Sequence, residues 1–196
     1  MTTDDIMAHI STWLERWEIS DLDSSSPWLQ EISLKNFGAE DYLVHAGESS
    51  DTLFLLQSGL VRLFYTTPDG RERNKAFYRA EHITGPVSAA MTATPAPFSI
   101  QALEPVEALT LPYRALMAAA EQNASMARIS QQLLAEAFIR NEQREALLLT
   151  CSAQQRYQWL LDNETDLLER VAQFHIASYL GIDAVSLSRL KRKHRQ

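Results

Sequence analysis

Cysteine is almost absent from this chain: Cys151 is the only one among 196 residues. One thiol cannot close an internal disulfide, and it is too few for an all-cysteine zinc or iron–sulfur site. A disulfide scaffold and a cluster-based redox sensor are therefore excluded. Long apolar runs are missing as well. No stretch reaches 18 apolar residues, and the first ten residues carry Asp4 and Asp5 where a secretory signal would carry Lys or Arg. The expectation is a soluble, cytoplasmic protein with no membrane partner. Glycine is scarce, with six residues, and none sits in a Gly-x-Ser-x-Gly nucleophile elbow or a phosphate-cradling loop. No enzyme is expected on these grounds.

What is present is an ordinary mixture, 45 % apolar and 22 % charged, enough for one core of normal size and a smaller second one. The net charge of −7 is spread unevenly. Residues 170–196 carry six basic side chains (Arg170, Arg189, Lys191, Arg192, Lys193, Arg195) against Asp183, giving +5 and leaving −12 for the rest. A basic end on an acidic body repels phosphate everywhere except at one contact surface. A solvated basic tail is the plainer alternative.

The texture of the chain changes twice. Ile6, Ile10, Trp13, Leu14 and Trp17 have helical spacing, and a polar linker, Ser20 to Pro27, follows. From Trp28 to Leu111 the chain turns to short β-branched and aromatic runs. The strand candidates are Tyr42–Val44, Thr52–Gln57, Leu60–Thr66, Arg73–Tyr78, Phe98–Leu103 and Val106–Leu111, with Pro68-Asp69-Gly70 as a hairpin signal. Short strands at close spacing indicate an antiparallel β-roll or jelly roll. After Pro112 the pattern is helical. Asn123 to Thr150 contains no Gly or Pro, and Met126, Ile129, Leu133, Ala137, Arg140, Arg144 and Leu147 recur at three and four. Such a helix outruns the needs of a small core, so this seam is the candidate dimerisation surface; the alternative is that it lies across its own barrel. Gln155–Leu161 is a further helix, with a turn and cap from Asp162 to Asp166.

The most informative stretch is Gln173 to Lys193. Ala177 is small where two crossing helices would approach, Gly181 suits the turn between them, and Ile176, Leu180, Leu187 and Leu190 close a small core. Asp183 can cap the second helix. This pattern indicates a helix-turn-helix whose second helix enters the major groove of double-stranded DNA. Arg189 is the candidate for a bidentate guanine contact, Ser186 or Ser188 for a nearby hydrogen bond, and Ala184 or Val185 for a thymine methyl. Arg192 lies on the same outer face, and Gln173, Lys191, Lys193 and Arg195 are assigned to phosphates.

Here the chain resembles the Crp/Fnr superfamily of bacterial regulators. Gly47, Gly59, Gly70 and Gly85 stand at that family's turn positions, FLLQSGLVRLFYTTPDGRERNKAFY (Phe54 to Tyr78) is similar to its central strands, and IASYLGIDAVSLSRLKRK is similar to its helix-turn-helix. The resemblance implies an α+β chain with three parts: a cyclic-nucleotide-binding-like roll (1–122), a dimerisation helix (123–150) and an all-α helix-turn-helix domain (151–196), expected here without the wing that many relatives carry. It also implies a homodimer on an inverted-repeat operator and RNA polymerase as a partner. Two departures stand out. Nucleotide-responding members place Gly-Glu and Arg-Ser pairs after the Gly85 position. Here Pro86 holds the Glu position, Pro97 or Phe98 is near the Arg position, and no charged residue occurs between Glu81 and Glu104. A buried phosphate needs a charge-assisted partner, so cyclic AMP and cyclic GMP are not expected, and no cofactor is. The reading helix has Ala184 and Val185 where the best-known branch has Arg and Glu, so the operator should differ.

Gly85, Pro86, Val87, Ser88, Met91, Phe98 and Ser99 form a candidate pocket for a small uncharged effector; the alternative is a closed cavity. His45 and His82 are weak metal or haem candidates, better read as loop histidines, and His175 is read as surface or phosphate-facing. A small-molecule sensor without DNA activity, and a metal enzyme in which His45 and His82 converge, are the competing functional classes.

Overall fold

The computed structural model describes residues 2–19 and 26–194. Part of the expected linker (residues 20–25) and Arg195 lie outside the described residues. The chain opens with helix α1 (Thr3–Arg16), started by a capping box in which Thr2 and Asp5 bond each other's backbone amides. A 3-10 turn (Pro27–Glu31) leads to β1 (Ser33–Phe37) and β2 (Tyr42–Val44). Then come β3 (Thr52–Ser58), β4 (Leu60–Thr66), β5 (Glu72–Arg79) and β6 (Ile83–Thr84). Helix α2 (Val87–Thr92), β7 (Ser99–Ala102), β8 (Val106–Pro112) and α3 (Tyr113–Gln122) follow.

The strands form two four-stranded sheets, ordered β1-β8-β3-β6 and β2-β7-β4-β5; the β1–β8, β8–β3, β3–β6 and β2–β7 pairings are antiparallel. All six expected strands are present. Two more, β1 and β6, escaped the sequence reading for physical reasons. β1 is an edge strand with four exposed residues and so lacks an apolar run, and β6 is two residues long. Gly59 makes the β3–β4 turn possible: its φ is +88°, and a Cβ there would collide with the Pro105 carbonyl oxygen.

Helix α4 (Ala124–Thr150) is 27 residues long, about 40 Å at 1.5 Å per residue. The Asn123 side chain caps it, accepting from the amides of Ser125 (2.8 Å) and Met126 (3.0 Å). Helices α5 (Ala153–Asn163), α6 (Leu167–Arg170), α7 (Gln173–Leu180) and α8 (Ala184–His194) complete the chain. α5 runs through Asp162 and Asn163, where a turn was expected: Gln158 donates to Asp162 and Asn163 to the Trp159 carbonyl, so both polar side chains support the helix.

Compactness divides the chain into two units, residues 1–63 with 77–136, and residues 64–76 with 137–196. The cut falls inside α4, and the tip of the β4–β5 hairpin belongs to the second unit. In the first unit the main core lies on one face of the β1-β8-β3-β6 sheet. There Leu53, Leu55, Leu109 and Leu111 meet Ile10 and Trp13 of α1, Leu116 of α3 and the first turns of α4. β3 is buried on both faces, Phe54 and Leu56 being turned the other way.

The expected dimerisation seam is corrected by this packing. Met126, Ile129 and Leu133 are core residues of the first unit, and Ala137 is half-buried. In the second unit Arg140 pairs with Glu164 at 3.4 Å, Arg144 lies 4.0 Å over the Tyr179 ring, and Leu147 is buried. Spacing shows that a helix has an apolar seam but not which chain that seam meets. The other face of α4 is the open one: Phe138 is 63 % and Leu149 76 % exposed, with Ile139 and Leu148 beside them.

Candidate nucleic-acid interface

Helix α7 buries His175, Ile176, Ala177, Tyr179 and Leu180 and exposes Gln173 and Phe174. It ends at Gly181, whose φ of +65° is the left-handed conformation that closes a helix. The Ile182 amide reaches back to the Ala177 carbonyl at 3.0 Å, and Arg156 Nη1 donates to the Leu180 carbonyl at 2.7 Å. Asp183 then starts α8. Its Oδ1 accepts from the Ser186 amide at 2.7 Å and its Oδ2 from the Ser186 hydroxyl at 3.0 Å. These bonds from Ser186, amide first and hydroxyl second, hold the Asp183 carboxyl below the usual carboxylate range.

On α8, Leu187 is fully buried and Leu190 half-buried, which fixes the inward side. Ala184, Val185, Ser188, Arg189, Arg192 and Lys193 are exposed, and Lys191 is half-buried. Lys193 Nζ is engaged with Gln154 at 3.1 Å. Of the sequence-selected residues on α8, Val185, Ser188, Arg189 and Arg192 therefore share one outward stripe. The Ser186 hydroxyl gives its proton to Asp183, which leaves it only acceptor capacity towards a base. Phe174, 61 % exposed next to Gln173, belongs to the surface and was missed. Its signal was its place off the Ile176–Ala177–Leu180 face.

His175 is a correction too. It is 9 % exposed, and the Asn74 side-chain amide donates to its carbonyl at 3.0 Å and lies 3.2 Å from its Nδ1. The Asn74 backbone amide donates to Ser178 Oγ at 3.0 Å, and that hydroxyl donates to the Glu72 carbonyl at 3.1 Å. Strand β5 thus holds α7 from behind. Nothing local marks such a bond in sequence, since the partners are about a hundred residues apart. A charged group around Tyr179 supports α7 from the α4 and α5 side. Burial, with Glu164 second, pushes the Tyr179 hydroxyl far above its ordinary value, and burial first lowers Arg144. Lys75, bonded to Asn141 at 3.0 Å, is lowered by burial and then by Arg140.

The expected effector pocket does not converge. Ser88 and Met91 of α2 are exposed, whereas Pro86, Phe98 and Ser99 are packed, with Ser99 Oγ accepting from the Ala46 amide at 3.0 Å. A Cβ on Gly85 would lie 2.6 Å from the Thr52 carbonyl oxygen, so that corner is closely filled. The first unit has an apolar cavity of about 40 Å³ elsewhere, among Trp13, Trp17, Leu55, Leu116, Ile129 and neighbouring side chains. It is built from seven elements and has no local signature. His45 stacks on Tyr42 and His82 Nδ1 lies 3.1 Å from the Ala80 carbonyl; among the described residues no group of three or more His, Cys, Asp or Glu could hold a metal. No described helix is long and apolar enough to cross a membrane.

Residues 34–123 match the family model for the cyclic nucleotide-binding domain. No curated protein matches the chain in sequence. Among solved structures, the chain is similar to FixK2 from Bradyrhizobium japonicum, with TM-score 0.73, 19 % identity and 83 % of each chain covered. It is similar to a CooA mutant from Carboxydothermus hydrogenoformans, with TM-score 0.71 and 18 % identity over 93 % of this chain and 83 % of that one. It also resembles the catabolite activator protein of Thermus thermophilus, with TM-score 0.53 and 22 % identity over 86 % and 83 %. Residues 34–123 thus match the cyclic nucleotide-binding domain, and the chain shares the fold of the solved FixK2, CooA and catabolite activator protein structures.

Proposed function

We propose that this chain is a DNA-binding regulator of the Crp/Fnr type, acting as a homodimer on an inverted-repeat site. One observation carries the reading. Val185, Ser188, Arg189 and Arg192 stand on a single outward stripe of α8, on the only strongly basic segment of an otherwise acidic chain. That is the arrangement a groove-reading helix requires. Arg189 is assigned to a guanine, and Gln173, Lys191 and Lys193 to phosphates. Binding rather than catalysis is the role, with RNA polymerase as a further partner.

The dimer is assigned to the outward face of α4. Phe138, Glu142, Glu145 and Leu149 recur there at three and four, and the exposure of Phe138 and Leu149 is large for a helix facing water. Pairing would set two copies of α8 about 34 Å apart on the duplex. An effector would act by shifting the population of dimer geometries. Selection from a random duplex pool near 0.15 M salt tests the reading. Enrichment of an inverted repeat is expected. Enrichment of nothing above non-specific binding, with or without cell-extract small molecules, would overturn it.

A further inference from the structure

The outward stripe of α8 begins with an aliphatic side chain. The inward side of the helix is fixed by Leu187 and Leu190, so Val185 stands at the start of the outward stripe, 61 % exposed, with Ser188 and Arg189 following at i+3 and i+4. The one polar group of that first turn, the Ser186 hydroxyl, donates to Asp183 at 3.0 Å. Ala184 and Val185 are therefore what the first turn offers to a base edge.

In the major groove an aliphatic side chain recognises the C5 methyl of a pyrimidine. Val185 has no donor or acceptor, so it cannot distinguish the O4 of thymine from the N4 amino group of cytosine. The feature it registers is the methyl, which thymine and 5-methylcytosine carry and uracil and cytosine lack. Arg189 lies four residues on, its Cβ about 5–6 Å from that of Val185. Successive bases on one strand are about 3.4 Å apart, and the long Arg189 side chain can lean back by the difference, which lets the methyl and the guanine O6 and N7 fall on neighbouring steps. We propose that Val185 and Arg189 together read a 5-methylpyrimidine beside a guanine. A methylated CpG step is then accepted in place of TpG, and occupancy of a CpG-bearing site depends on cytosine-5 methylation. This rests on the assignment of α7 and α8 to DNA.

The test uses the full-length protein and the duplex recovered by selection. At each thymine beside a guanine, one half-site is made with thymine, uracil, 5-methylcytosine or cytosine. Removing one methyl should weaken binding about fourfold, thymine over uracil and 5-methylcytosine over cytosine alike. Val185→Ala changes an exposed side chain, and its fold is checked by circular dichroism. It should lose both preferences, binding the thymine and uracil forms alike and the 5-methylcytosine and cytosine forms alike. Equal binding of thymine and uracil forms at every such position, or preferences that survive Val185→Ala, would overturn the proposal while leaving DNA binding intact. Failure of the parent duplex to bind would instead overturn the DNA assignment itself, and the proposal with it.

Discussion

Two residues carry the geometry on which the start of α8 depends. Gly181 has φ +65°, and a Cβ there would sit 2.9 Å from Arg156 Nη1, the atom that donates to the Leu180 carbonyl. Gly181→Ala should therefore cost about 1–2 kcal/mol from the left-handed backbone alone. The cost would be read as a lower urea midpoint; an unchanged midpoint would mean the turn can relax. Asp183 acts through its charge. Its folded-state pKa is depressed, so its capping is present above the ordinary carboxyl value of 3.8 and is lost as pH falls through the lower folded value. The melting temperature of Asp183→Ala should therefore lie below that of the native chain at pH 7 and pH 5. The gap should close towards pH 3. A gap that persists at pH 3 would show that the charge is not what matters. Ala177, Gly181 and Asp183 were all legible in the sequence, because each answers a local demand of a tight helix–turn–helix. His175 was not: its burial depends on Asn74 in a remote strand.

At the scale of elements, α4 separates two roles by face. Leu133 is buried in the first unit's core, so Leu133→Ala should cost roughly 2–5 kcal/mol of fold stability. Phe138 is exposed, and Phe138→Glu should leave the unfolding midpoint of the dilute protein nearly unchanged while shifting sedimentation equilibrium towards monomer. If instead Leu133→Ala dissociates the protein and Phe138→Glu does nothing, the inward face is the dimer face. The helix itself was legible from its period and from the absence of breakers. Its orientation was not, because a 3.6-residue period has the same form whether the apolar stripe meets a sheet of its own chain or another helix. The same limit applies to the strands. The six apolar runs announced themselves, whereas the exposed edge strand β1 has no pattern of its own and is defined by hydrogen bonding to β8. The residues assigned to an effector pocket at Gly85–Ser99 divide between packed and exposed positions, because a run of small and apolar residues has the same form whether it lines a space or fills one.

At the scale of the whole molecule, the two-layer roll, the long helix and the basic C-terminal helices were all foreseeable, because each has its own composition. The division into units was not. It assigns the hairpin tip, residues 64–76, to a unit otherwise made of residues 137–196. A fragment beginning at 137 lacks Asn74 and Glu72, and with them the bonds to Ser178 and His175. It should therefore show weaker amide protection along α7 than the intact chain, by hydrogen exchange; equal protection would make those bonds dispensable. The arrangement also sets an order of events during synthesis. The hairpin leaves the ribosome about a hundred residues before its partners on α7. At ordinary elongation rates of about 5–20 residues per second, it spends several seconds without them. During that interval Asn74 lacks its bonds to His175 and Ser178. The C-terminal unit is thus assembled from its earliest and latest pieces, and a pause in translation anywhere between residues 76 and 173 lengthens the exposure of the first.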